Sequence, residues 1–128
     1  MSKKPRVLIV DDDQVIATTL SMILNRSGFE AVEAFSGPQA LELAAASRFD
    51  ILVTDVMMQP MNGVELARAF CDIYPEAQIF LISGTTEAAA TVLADFDCEH
   101  AFPLLKKPIY PGELIERLRV GTSSSASL

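Results

Sequence analysis

Four short apolar runs recur along this chain of 128 residues, at Val7–Val10, Ile51–Thr54, Ile79–Ile82 and Pro103–Leu105. Each is continuous rather than alternating and each is followed by polar residues. That pattern suits strands buried on both faces, as in a parallel sheet covered by helices. A fifth run, Glu30–Phe35, reads EAVEAF and alternates polar with apolar, which suits an edge strand. Between the runs lie segments with helical spacing. Gln14–Arg26 carries Val15, Ile16, Leu20, Ile23 and Leu24 on one stripe, with Gly28 as a stop. Gly37–Ser47 has Pro38 in its first turn, and Gly63–Tyr74 ends before Pro75. Thr86–Asp95 and Pro111–Val120 complete the set. Strand and helix alternate five times, so the fold expected is α/β: a doubly wound parallel sheet of five strands with five helices.

Composition narrows the class further. Half the residues are apolar and 21% are charged, which excludes a disordered chain. Ten Lys and Arg against 17 Asp and Glu give a net charge of −7, which argues against binding nucleic acid or anionic membranes by bulk electrostatics. Cys71 and Cys98 form no metal-binding or disulfide pattern and read as small hydrophobes. The start, MSKKPRVLIVDDD, has too short an apolar stretch for a signal peptide, and no run reaches membrane-spanning length. The expectation is a cytoplasmic chain of one domain over 6–120, with an extension over 1–5 and a flexible Ser-rich tail over 121–128.

In an open parallel sheet, ligands bind beyond the carboxyl ends of the strands. After Val7–Val10 come Asp11, Asp12 and Asp13; after Ile51–Thr54 comes Asp55. Ser83 and Gly84 follow Ile79–Ile82, and Lys106, Lys107 and Pro108 follow Pro103–Leu105. Carboxylates, a hydroxyl and an ammonium are thus delivered to one edge. Crowded carboxylates repel unless a cation resolves them, and an all-oxygen set suits Mg²⁺ or Mn²⁺. An ionised Asp55 needs no general base to attack phosphorus. The cation, the lysine and the hydroxyl would share charge on the transferring oxygens, and Gly84 keeps the approach open. The chemistry that fits is phosphoryl transfer to Asp55. Asp13 reads as a helix cap and Lys106 as a solvated neighbour. His100 reads as a surface residue, and Met57, Met58 and Met61 as loop and core filler.

The segments VLIVDDD, ILVTDVMMQPMNGVEL, FLISG and LLKKPI resemble the successive signatures of the receiver domain of two-component response regulators. The resemblance runs from about Arg6 to Val120, in the family's order and spacing. It implies a flavodoxin-like sheet in order 2-1-3-4-5. It makes Asp55 the phosphoacceptor, and Asp11 and Asp12, with Asp55 and the Met57 carbonyl, the holders of Mg²⁺. Ser83 matches the switch hydroxyl, and Lys107 the lysine before a cis-proline. Val56 and Gly84 are expected to present backbone N–H groups to the phosphoryl oxygens. The implied donor is a histidine kinase or histidine phosphotransfer protein. The implied output is a protein contact through the fourth helix, fifth strand and fifth helix, with no nucleic acid or membrane bound by this chain. Such a domain catalyses only its own phosphorylation and dephosphorylation and is not otherwise an enzyme.

Two departures stand out. Where the family has proline four residues after the phosphoacceptor, this chain has Gln59, with Pro60 one later. Asn62–Gly63 still supplies the turn, so the expectation is an altered loop with the site intact. Three residues before the lysine, the usual switch aromatic is replaced by Leu104, which lacks ring and hydroxyl. Phe102 and Phe80 are candidate substitutes. The alternative reading is a receiver-like interaction module that is never phosphorylated. A hydrolase working through an aspartyl phosphate is disfavoured, because Met57 stands where a second carboxylate would be needed.

Overall fold

A computed structural model describes residues 4–84 and 103–126 of the chain. Five strands form one sheet: β1 (Arg6–Val10), β2 (Glu30–Ala34), β3 (Ile51–Asp55), β4 (Gln78–Ser83) and β5 (Leu104–Lys106). All pairings are parallel and the order is β2-β1-β3-β4-β5. The expected sheet and the edge position of the alternating strand are both found. Four helices are described: α1 (Gln14–Asn25), α2 (Gly37–Ala46), α3 (Gly63–Ile73) and α4 (Pro111–Ala126). The helix expected over Thr86–Asp95 lies outside the described residues, as do Cys98, His100 and Phe102, so α4 is the fifth in the sequence-based count.

The continuous apolar runs are explained by what lies on each side. Val7 and Ile9 of β1, Ile51 and Val53 of β3, and Phe80 and Ile82 of β4 face a core closed by Ala17, Leu20 and Leu24 of α1 and Leu114 and Leu118 of α4. Their neighbours Leu8, Val10, Leu52 and Leu81 face the opposite core, under Ala40 and Ala44 of α2 and Leu66, Ala67 and Phe70 of α3. Successive strand residues serve opposite faces, so a strand covered on both sides has no polar position to spare. On edge strand β2, the Asn25 side chain accepts from Ala31 N (2.8 Å) and donates to Ala31 O (3.0 Å). It pairs that residue as a neighbouring strand would and blunts the exposed edge.

Local signals set the helix ends. Asp13 caps α1 and Ser36 caps α2. Gly28, at φ +96°, turns the chain out of α1 as a left-handed residue. Asn62 and Glu65 form a reciprocal capping box on α3, at 2.9 and 3.0 Å. One boundary differs from expectation: α4 runs on to Ala126, so 121–126, expected as tail, continue the helix. GTSSSA contains weak helix formers but no proline, and the nearly three helical turns of Pro111–Val120 already supply the nucleus.

Candidate functional site

The strand ends meet as the topology requires. Strand β3 reaches one residue further than its apolar run, so Asp55 is the strand's last residue, in register with Ile82. Ser83 ends β4 opposite Lys106. Asp55 is held from behind: Thr54 Oγ1 donates to the Asp55 carbonyl (3.1 Å), and the Gly63 N–H donates to the Val56 carbonyl (2.8 Å). A Cβ on Gly63 would lie 2.1 Å from Asp55 O. Only glycine therefore lets α3 start this close to the strand. The sequence singled out Asn62–Gly63 as a turn but carried no sign of this contact.

Asp11, Asp12 and Asp55 converge, each offering a carboxylate oxygen within 4.8 Å of the others. Asp11 and Asp55 are buried and Asp12 is exposed. Lys107 Nζ lies 3.1 Å from Asp55 Oδ2 and 3.1 Å from Asp11 Oδ2. Only the Asp55 contact is aligned as a hydrogen bond. Asp11 Oδ1 accepts from the Asp13 N–H (2.9 Å), whereas its buried Oδ2 has no aligned donor among the described residues. Three carboxylates against one ammonium leave a formal excess of two negative charges at the pocket. An all-oxygen set with a buried, unsatisfied carboxylate oxygen fits a hard divalent cation.

The electrostatics agree with the geometry. Burial is the main cause that pushes the Asp11 carboxyl above its ordinary value, and the nearby Asp55 charge adds to it. The Asp13 N–H and Lys107 oppose the shift. Burial pulls the Lys107 ammonium down, but its bonds to Asp55 and Asp11 outweigh this and hold it above the usual lysine value.

The remaining expected residues fall as follows. Gly84 is exposed, and among the described residues a Cβ there would meet nothing closer than Lys107 Cδ at 3.9 Å. Lys106 is exposed while Lys107 is not, and the Lys107–Pro108 peptide is cis. Val56 requires a correction. Its N–H continues the β3–β4 ladder by donating to Ile82 O (2.8 Å), so it does not face the pocket. The amide directed at the Asp55 carboxylate belongs to Met57, which donates to Oδ1 at 3.3 Å. The loop around Gln59 and Pro60 is exposed, yet α3 still begins at Gly63. Leu104 lies partly buried against the α2–α3 core, whereas Phe80 is buried on the α1–α4 side. Phe80 is therefore on the wrong face of the sheet to replace the missing aromatic.

A family model described as the response regulator receiver domain matches residues 7–119. The chain belongs to this receiver family. It is 30% identical over 113 residues to the response regulator receiver protein CpdR of Brucella abortus, covering 88% of this chain and 92% of CpdR. It is 31% identical to the transcriptional regulatory protein CpxR of Escherichia coli over 89% of this chain, but spans only 47% of that longer protein. Among solved structures, the receiver resembles the chemotaxis protein CheY4 of Vibrio cholerae with a TM-score of 0.79 and 29% identity, covering 91% of this chain and 98% of the other. No described helix of the receiver is long and apolar enough to cross a membrane.

Proposed function

We propose that this receiver accepts a phosphoryl group on Asp55 in a Mg²⁺-dependent reaction. The observation that carries the reading is the Lys107 ammonium, 3.1 Å from both Asp55 Oδ2 and Asp11 Oδ2, where three carboxylates converge. A lone acidic patch has no use for a half-buried lysine drawn into it. A site that transfers a phosphoryl group does, because charge on the transferring oxygens must be matched as it passes.

In the step itself, a carboxylate oxygen of Asp55 attacks phosphorus while the bond from phosphorus to the donor imidazole nitrogen breaks. The electron pair returns to the imidazole, which takes up a proton, and Asp55 becomes an acyl phosphate. Lys107 is released from part of its pairing with Asp55 and turns its donors to the incoming oxygens. The Met57 N–H, already beside Oδ1, and the exposed Gly84 backbone line the same approach. Ser83, buried at the end of β4, offers its hydroxyl from the strand beside Asp55. Asp11, Asp12, Asp55 and the Met57 carbonyl are the groups that would hold Mg²⁺ (or Mn²⁺). When bound, the ion screens the excess negative charge and polarises the phosphoryl oxygens.

The donor is a protein phosphohistidine, on a kinase or a phosphotransfer protein, met in the cytoplasm where such kinases find their nucleotide. The receiver catalyses only its own gain and loss of the group, and passes the signal on by protein contact. Leu104 favours a second reading, because it offers β5 no ring or hydroxyl that could reorient on phosphorylation. On that reading the fold is an interaction module that is never modified. Intact-mass measurement with a small phosphodonor separates the two. The proposal expects one added phosphoryl group in Mg²⁺, little in EDTA and none in Asp55→Asn. An unchanged mass, under conditions that label another receiver, favours the module.

A further inference from the structure

Asp13 stands next to the pocket, but its carboxylate is not among the three that converge. Asp13 Oδ1 accepts instead from Val15 N (3.0 Å) and Ile16 N (3.4 Å), closing the first turn of α1. The Asp13 carbonyl accepts from Ala17 N (3.1 Å), the first bond of that helix. Its own N–H is the donor that holds Asp11 Oδ1 at 2.9 Å. Asp11 is otherwise fixed by its backbone, whose N–H donates to Ala34 O (3.2 Å) on β2. A carboxylate held by one oxygen presents the other in a fixed direction, and here Oδ2 is left facing Lys107 and the pocket.

We propose that Asp13 is a positioning residue: its cap on α1 fixes the amide that orients Asp11 for the cation. The inference rests on the phosphoacceptor reading above and adds a residue to it. The cap holds Asp13 at φ −81° and ψ 104°, an extended geometry next to a helix, and this sets where its N–H points. Without the side-chain acceptor, that residue loses the bonds that keep it extended. Asp11 is then free to swivel, and a ligand whose outer contact is lost binds its metal more weakly.

Two other roles compete. Asp13 could matter only for α1 stability, or only as another negative charge. Calorimetric titration of the unphosphorylated protein with Mg²⁺, beside melting curves in EDTA, separates these. Asp13→Asn removes the charge and keeps a good cap; Asp13→Gly keeps a helix start that tolerates the change far better than alanine, but has no acceptor. Asp13→Ala loses both. The proposal expects Mg²⁺ affinity to fall about tenfold in Asp13→Gly and Asp13→Ala, and to stay within about threefold of wild type in Asp13→Asn. Equal weakening in Asp13→Asn and Asp13→Gly would assign the effect to charge and overturn the proposal. Wild-type affinity in Asp13→Gly would overturn it too, whatever happens to melting. Wild-type protein that binds no Mg²⁺ removes the cation from the phosphoacceptor reading and this inference with it; normal binding that Asp13→Gly leaves untouched removes this inference alone.

Discussion

Asp11, Asp12 and Asp13 carry the same functional group, yet Asp11 is buried beside Lys107, Asp12 is exposed at the rim and Asp13 is taken up by α1. The sequence could set Asp13 apart as a helix cap and place Asp11 and Asp12 at a strand end. It could not tell the buried from the exposed member of that pair, because the division depends on which oxygen meets which amide. The same limit explains Val56 and Met57. Adjacent residues on an extended chain point their N–H groups to opposite sides, so a ladder bond from Val56 to Ile82 hands the pocket to Met57. The buried Asp11 makes a definite titration prediction. Its folded value lies above 3.8, so it binds a proton more tightly folded than unfolded. Its contribution to stability is therefore lost as pH rises from 3.8 through the raised value. Lys107 is raised from 10.5, so its contribution is complete below 10.5 and is lost only as pH rises through the higher folded value. Carboxyl carbon NMR of the metal-free protein should show an Asp11 midpoint above 3.8 that moves down when Mg²⁺ is added. A midpoint insensitive to Mg²⁺ would remove Asp11 from the cation site. Lys107→Met should slow phosphorylation from a small donor about 100-fold, the scale of losing one preorganised donor to a transferring group. Unchanged single-turnover rates would leave Lys107 only a structural ion pair.

Among the elements, periodicity gave α1, α2 and α3 to within a residue or two, and buried runs gave the strands to within a residue. It gave the start of α4 but not its end, which lies six residues beyond Val120. Strands β3 and β4 each outrun their apolar runs by one residue at the carboxyl end, and those residues are Asp55, which converges with Asp11 and Asp12, and Ser83, a buried polar residue. Helix α3 shows what pattern alone cannot carry. Its capping box is readable in Asn62 and Glu65, but its distance from β3 is set by a missing side chain at Gly63. Gly63→Ala should destabilise the fold by about 1–3 kcal/mol, as overpacking a tight contact does. Gly112→Ala, in α4 with nothing among the described residues within 4 Å of the added Cβ, should be neutral or stabilising by up to about 1 kcal/mol. Urea denaturation of the pair checks both signs, and equal midpoints would mean that α3 shifts away from Asp55 without cost.

For the molecule as a whole, topology does most of the functional work. Five parallel strands in the order β2-β1-β3-β4-β5 bring residues 11, 55, 83 and 107 to one edge, although they lie far apart in the chain. That convergence was legible because a parallel α/β sheet forces every strand to end on the same side. The distances of 3.1 Å between Lys107 and two carboxylates were not, because they depend on how the β5–α4 connection folds back. Leu104 gives β5 no aromatic ring and packs against the α2–α3 core. The most direct measurement is to map the modification itself: treat the phosphodonor-labelled protein with borohydride, which reduces an aspartyl phosphate to homoserine, and sequence the peptides by mass spectrometry. Homoserine is expected at position 55 alone, dependent on Mg²⁺. Homoserine at any other aspartate, or none in a protein that has gained the phosphoryl mass, would contradict Asp55 as the phosphoacceptor.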